Sequence, residues 1–154
     1  MPRTKSQRGT VFISHSNKDR EFVVRLARVL KNYKVRYWYS AAHIIGAEQW
    51  HDEIGRALRR CNWFLIVLTP NAVRSDWVKH ELLFALREDR YKKRIIPLLR
   101  KPCKYERLSW TLSESQRVDF AGNFDVGCRQ LLRIWKMTYK PTARKIGSKT
   151  KKTR

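Results

Sequence analysis

The stretch Trp63-Phe64-Leu65-Ile66-Val67-Leu68, closed by Thr69-Pro70-Asn71 and followed by Ser75-Asp76-Trp77-Val78-Lys79-His80-Glu81-Leu82-Leu83, decides how this chain folds. Six consecutive apolar residues have no polar face to give to water. A strand needs that pattern when helices cover both of its faces, as in a parallel sheet. Ser75 is a good helix N-cap, because its hydroxyl can accept a bond from an orphan N–H of the first turn. Trp77 and Glu81 are four residues apart and share one face of that helix. Val78, Leu82 and Ala85 form the neighbouring stripe that anchors it. A bulky aromatic beside a carboxylate, just past the C-terminal end of a buried strand, is where open α/β sheets put ligands. The same spacing also fits a Trp on the rim of the core and a solvated Glu.

Working outward, the rest of the chain alternates in the same way. Thr10-Val11-Phe12-Ile13 reads as a short strand running into the polar loop Ser14-His15-Ser16-Asn17-Lys18-Asp19. Phe22, Val23, Leu26, Ala27 and Leu30 recur at helical spacing. Val35 to Trp38 is a second strand, Tyr39 to Ala47 a loop, and Trp50, Ile54, Ala57 and Cys61 mark a helix from about 48 to 60. The helix carrying Glu81 spans 76–88. Arg94 to Leu99 is a fourth strand, in which Pro97 removes one ladder donor and suggests an edge side or a bulge. Lys101 to Ser115 is irregular. Gln116 to Phe120 is a fifth, shorter strand, and Phe124, Cys128, Leu131 and Trp135 define a last helix. Five such alternations predict an α/β fold: a flavodoxin-like, doubly wound, five-stranded parallel sheet with helices on both faces.

At 154 residues the chain is one domain's length and can bury a substantial core. Its formal net charge of +22 is unevenly placed. Residues 1–9 carry three Lys/Arg and residues 140–154 carry seven, with no acid in either. Setting those ten aside leaves 25 basic against 13 acidic residues between 10 and 139, a balance of +12. The organisation expected is a basic leader over 1–9, a folded domain over 10–139 and a disordered basic tail over 140–154. Such a field favours anionic partners. Three cysteines, Cys61, Cys103 and Cys128, suggest neither a disulfide set nor a zinc site, and a reduced, cytoplasmic setting is expected. No apolar stretch reaches a membrane span, and the polar N-terminus is not a signal peptide.

Several α/β chemistries are excluded by missing motifs. There is no GxGxxG after the first strand, no GxxxxGK[ST] and no GxSxG elbow. A phosphoacceptor receiver needs a carboxylate at the end of the third strand, where this chain has Thr69-Pro70. The Ser-rich loop after the first strand fits either a phosphate cradle at a helix N-terminus or a capped turn.

Phe12-Ile13-Ser14-His15-Ser16, then Trp38 through Gly46, then Phe64 to Pro70 with Ser75-Asp76-Trp77 and Glu81-Leu82, and finally Ile95-Ile96-Pro97-Leu98, occur in the order seen in TIR (Toll/interleukin-1 receptor) domains. The chain resembles that family over about residues 10–137, and most closely its prokaryotic NAD+-cleaving type. The resemblance implies cleavage of the nicotinamide–ribose bond, giving nicotinamide and ADP-ribose or a cyclic ADP-ribose isomer. It also implies a role in bacterial antiphage defence signalling. Here NAD+ is substrate, and no cofactor or metal is expected.

Nicotinamide leaves as a neutral molecule, so the chemistry needs no acid to protonate it and no second carboxylate. One anion is still useful against the positive charge of a ribose oxocarbenium. The resemblance assigns that role to Glu81, with Trp77 stacking on the cationic nicotinamide ring. Ser14 and His15 stand at the cleft mouth, and Trp38, Tyr39 and Ser40 follow the second strand. Strand alternation makes at least one of Tyr37, Trp38 and Tyr39 simple core. The family often has an acid directly after the second strand, where this chain has Ser40. Trp38 through Gly46 resembles the BB loop, so His43, Ile44, Ile45 and Gly46 are expected to mediate TIR–TIR self-association. Other expected partners are a downstream effector that senses the product and nucleic acid held non-specifically by the tail. The alternative functions are a non-enzymatic TIR–TIR adaptor and a nucleic-acid binder. The last has no recognised motif, and its basic residues are spread over every helix.

Overall fold

A computed structural model describes residues 9–39 and 47–141. The chain runs β1 (Thr10–Ser14), a 3-10 turn (Asn17–Asp19), α1 (Arg20–Asn32), β2 (Arg36–Tyr39), α2 (Ala47–Arg60) and β3 (Trp63–Leu68). It continues with α3 (Pro70–Val73), α4 (Asp76–Arg87), β4 (Ile95–Leu99), β5 (Val118–Asp119) and α5 (Phe124–Ile134). The five strands pair in parallel in the order β2-β1-β3-β4-β5. This is the predicted flavodoxin-like α/β architecture. The predicted roles of Ser40, His43, Ile44, Ile45 and Gly46, and the predicted leader and most of the tail, lie outside the described residues.

Strand alternation sorts the β3 side chains into two cores. Leu65 and Val67 join Val23, Leu26 and Leu30 of α1 and Cys128, Leu131 and Leu132 of α5. Phe64, Ile66 and Leu68 join Ile54, Ala57 and Leu58 of α2 and Val78, Leu82 and Ala85 of α4. All five of these β3 residues are fully buried, so the apolar run has both faces covered as its composition requires. Burying side chains of this size contributes about 1.5–3 kcal/mol each. Cys61 and Cys128 are buried, are not joined in a disulfide, and pack among the apolar side chains of the two cores.

Four local features bear on the sequence reading. Pro97 lies in a strand that is interior by order, yet β5 pairs with only Leu98 and Leu99 of β4. The proline therefore sits where one side of the strand is open, which tolerates the missing donor. β5 is shorter than predicted, Val118–Asp119, and the irregular stretch before it holds a 3-10 turn, Trp110–Glu114. Gly127 of α5 packs directly on Phe120, and a Cβ there would stand 2.3 Å from the ring. Lys34, Lys93 and Lys136, each just beyond a helix or 3-10 turn, adopt φ near +60°.

Candidate active site

The C-terminal edge of the sheet gathers buried polar groups from segments far apart in sequence. Ser14 ends β1 and is paired in register with Ile66 of β3. α4 starts at its Ser75 cap, whose hydroxyl accepts a hydrogen bond from Val78 N at 3.2 Å as expected. The helix packs over β1 and β3 and brings Glu81, 7 % exposed, against Ser14. Ser14 Oγ donates to Glu81 Oε1 at 2.6 Å. Burial pushes the Glu81 carboxyl up from 4.5 to about 7, while the Ser14 hydrogen bond pulls the other way. Near neutral pH this acid is therefore divided between its two forms, and a cation brought beside it would favour the ionised one.

A second carboxylate lies at the same edge. Asp19, in the turn between β1 and α1, is buried and accepts a 2.6 Å hydrogen bond from Thr69 Oγ1. Asn71 Nδ2 approaches its other oxygen at 3.5 Å. Thr69 also accepts from Ala72 N at 3.0 Å, capping the short helix α3, which the sequence reading did not anticipate. The clip ties the loop after β1 to the end of β3 across fifty residues of sequence. From the sequence, Asp19 reads as the end of a polar loop and Thr69 as the close of a strand. The one available signal was that both stand at C-terminal strand ends of an α/β sheet.

The other predicted residues divide by face. His15 is half-buried and sets its ring edge-on to Tyr39, with centroids 5.9 Å apart. Burial lowers its pKa, a hydrogen bond with the Ile13 backbone pulls the other way, and the nearby Arg20 adds to the lowering. Its Nε2 is shielded from solvent with no hydrogen-bond partner among the described residues. Tyr37 and Tyr39 stack on each other at 6.0 Å and pack on the α1 side. Trp38 turns to the opposite side and stacks on Phe12 at 5.2 Å, so alternation splits these aromatics. Trp77 is half-buried on the same side as Trp38, packed on the core that includes Val78 and Leu82. His51 meets the Trp77 ring at 4.7 Å and His80 at 6.2 Å, both edge-on, and both histidines are exposed. Among the described residues no group of three His, Cys, Asp or Glu is arranged to hold a metal ion. No described helix is long and apolar enough to cross a membrane.

The arrangement can stabilise a developing positive charge. Glu81 supplies one desolvated carboxylate, and Ser14 fixes one of its oxygens. In a low-dielectric site a single such anion has a large effect on a cationic transition state.

The comparisons with known proteins agree with this fold. The TIR_2 family model, a TIR domain, matches residues 11–132. The chain is 28 % identical over 109 residues to the 2' cyclic ADP-D-ribose synthase BtTIR of Bacteroides thetaiotaomicron, a match covering 70 % of this chain and 38 % of that protein. It is 29 % identical over 110 residues to the 2' cyclic ADP-D-ribose synthase AbTIR of Acinetobacter baumannii, covering 70 % of this chain and 41 % of that one. The chain thus spans about two fifths of the length of these curated relatives. Among solved structures, the TIR domain of the Toll-related receptor TRR-2 from Hydra magnipapillata superposes with a TM-score of 0.65 at 21 % identity. That match covers 82 % of this chain and 98 % of the other. A prokaryotic SEFIR domain gives a TM-score of 0.57 at 14 % identity, covering 87 % and 97 %.

Proposed function

The chain belongs to the TIR domain family, and on that premise we propose that it cleaves the nicotinamide–ribose bond of NAD+. The observation that carries the proposal is the dry Ser14–Glu81 pair at the C-terminal edge of the central strands. The two curated relatives, both named as cyclic ADP-ribose synthases, support the same bond as the target. In the proposed reaction the ionised Glu81 faces the ribose as the C–N bond lengthens. Its charge stabilises the oxocarbenium, and nicotinamide departs neutral without a proton donor. Trp77 receives the nicotinamide ring, and Ser14 keeps the carboxylate of Glu81 oriented. A hydroxyl of the same nucleotide then captures the ribose carbon to give a cyclic product, or water captures it to give ADP-ribose.

Incubating the protein with NAD+ and following nicotinamide by mass spectrometry tests the reading. The products differ by one water between linear and cyclic forms. Release of nicotinamide that Glu81→Gln abolishes is the expected result. Release at the parent rate from that variant would remove Glu81 from the chemistry. A second reading, a TIR–TIR adaptor without activity, draws support from Leu83 and Leu86, exposed three residues apart on α4. Self-association that Leu83→Asp disrupts, with no nicotinamide formed under any condition, favours it. Completion of the site by the 40–46 segment of a neighbouring copy, a product-sensing effector, a cytoplasmic location and a role in antiphage defence complete the proposal by family analogy.

A further inference from the structure

We propose that the N-terminal edge of the sheet, opposite the Glu81 edge, is a docking groove for the phosphate backbone of nucleic acid. An open groove of about 1000 Å³ lies there, with Lys31 and Lys34 from the end of α1, Arg36 from the start of β2 and Arg60 from the end of α2 on its walls. Among the described residues no Asp or Glu lines it. The ion pairs found among the described residues, Arg56–Glu53 and Arg90–Glu88, engage none of these four cations. All four are exposed.

The helix ends argue against an anion here and have to be outweighed. Two helix C-termini contribute about −0.5 charge each, whereas the four side chains contribute +4 within one groove. The balance stays strongly positive. The surrounding sequence strengthens it. Gly9, on the groove wall, follows Arg3, Lys5 and Arg8 in the chain. At the other end, Lys140 N donates to the Tyr33 hydroxyl at 2.7 Å, and Tyr33 directly follows α1. The chain beyond Lys140 carries six more Lys/Arg and no acid. Both basic segments therefore join the folded domain at the end where the groove lies.

The chemistry favours a phosphate backbone over base recognition and over a lipid surface. Tyr37, the one aromatic among the described residues of the groove wall, has a ring face stacked on Tyr39 and is half-buried, so it offers bases no free platform. A concave, cation-lined surface without an exposed apolar side chain matches a charged rod and not a flat bilayer that rewards apolar insertion. Because the groove and Glu81 occupy opposite edges of the sheet, a bound duplex leaves the Glu81 edge uncovered.

The test is fluorescence anisotropy of a labelled 20-base-pair duplex titrated with the full chain between 50 and 300 mM salt. Each phosphate contact adds about 0.9 to the slope of log K against log salt. Replacing Lys31, Lys34, Arg36 and Arg60 together by Gln is expected to flatten that slope by about 3 to 4. The same number of neutralisations at Arg87, Lys92, Arg129 and Arg133 is expected to leave it within one unit. The double variant Lys31→Gln/Arg60→Gln, which leaves β2 untouched, is expected to flatten the slope by about 2 and guards against misfolding. A full-length chain with the Lys/Arg of 144–154 replaced by Gln is expected to keep the dependence on the groove residues. A groove variant with the parent slope, or binding to vesicles containing phosphatidylserine without binding to the duplex, overturns the proposal. Nicotinamide release should be the same in parent and groove variants, so this proposal and the enzymatic one stand or fall separately.

Discussion

Glu81 is 7 % exposed and takes its one described hydrogen bond from Ser14, whereas Lys31, Lys34, Arg36 and Arg60 at the other end of the same sheet are exposed. The chain has 35 basic residues against 13 acidic ones, so by number its electrostatics belong to the cations. Position reverses that ranking. A charge in water interacts weakly and is screened within about 8–10 Å, while one held in a dry site interacts several-fold more strongly. One carboxylate among the thirteen therefore has more chemical consequence than any single member of the basic excess. That excess acts only collectively.

The largest effect expected at the C-terminal edge follows from Glu81→Gln. It keeps shape and hydrogen bonding but removes the anion, and nicotinamide release should fall about 100- to 1000-fold, the equivalent of about 3–4 kcal/mol. Circular dichroism should report an unchanged fold. A loss below about fivefold would place Glu81 on the same footing as the surface charges and dissolve the contrast.

The next effect is a function of pH. The folded protein keeps a proton on Glu81 up to about pH 7 that the unfolded chain gives up near 4.5. Over that window the native state binds more protons, so stability falls as pH rises, by a total of about 3 kcal/mol, and flattens above 7. Activity should run the other way, since kcat/KM for NAD+ requires the ionised form and rises to a plateau above about pH 7. Chemical denaturation at pH 5 and pH 8, in parent and Glu81→Gln, measures the first half. The difference should vanish in the variant.

Asp19→Asn sharpens the comparison within the buried edge itself. Replacing the acceptor of Thr69 by an amide should lower stability by about 1.5–3 kcal/mol in urea unfolding. Its effect on NAD+ cleavage should appear as a loss of kcat with the loop after β1 loosened. Ser14→Ala should be milder, about tenfold at pH 7, and should displace the rise of kcat/KM to higher pH because the ionised acid loses its donor. A Ser14 that merely filled space would leave the pH profile in place. Lys31→Gln, by contrast, should change stability by less than about 0.5 kcal/mol.

How far these features could be read from the sequence depended on whether local pattern or distant contact created them. The β3 run, the Ser75 cap and the α4 stripe of Val78, Leu82 and Ala85 are local, and the structure reproduces them. Glu81 was legible as one face of a helix, but its burial was not. That depends on Ser14, sixty-seven residues away, being delivered to the same edge by the β1–β3 pairing. The Asp19–Thr69 clip escaped for the same reason, since each partner alone looks like an ordinary cap. Trp77 was expected to face the same cavity as Glu81, and the contacts described for its ring are with His51, His80 and the core. The concentration of cations at one groove was also invisible to periodicity, because it joins the ends of two helices and the start of an edge strand.

The three lysines at φ near +60° bear on how this domain's marginal free energy is spent. Glycine is at ease in that conformation, whereas a side chain with a Cβ carries a penalty of about 1–2 kcal/mol. With lysine at all three, the forgone stabilisation sums to several kcal/mol, against a reserve of about 5–15 for a typical native protein. Glycine at any of the three would relieve that strain while removing one cation, which gives an engineer three independent places to trade charge for thermal tolerance.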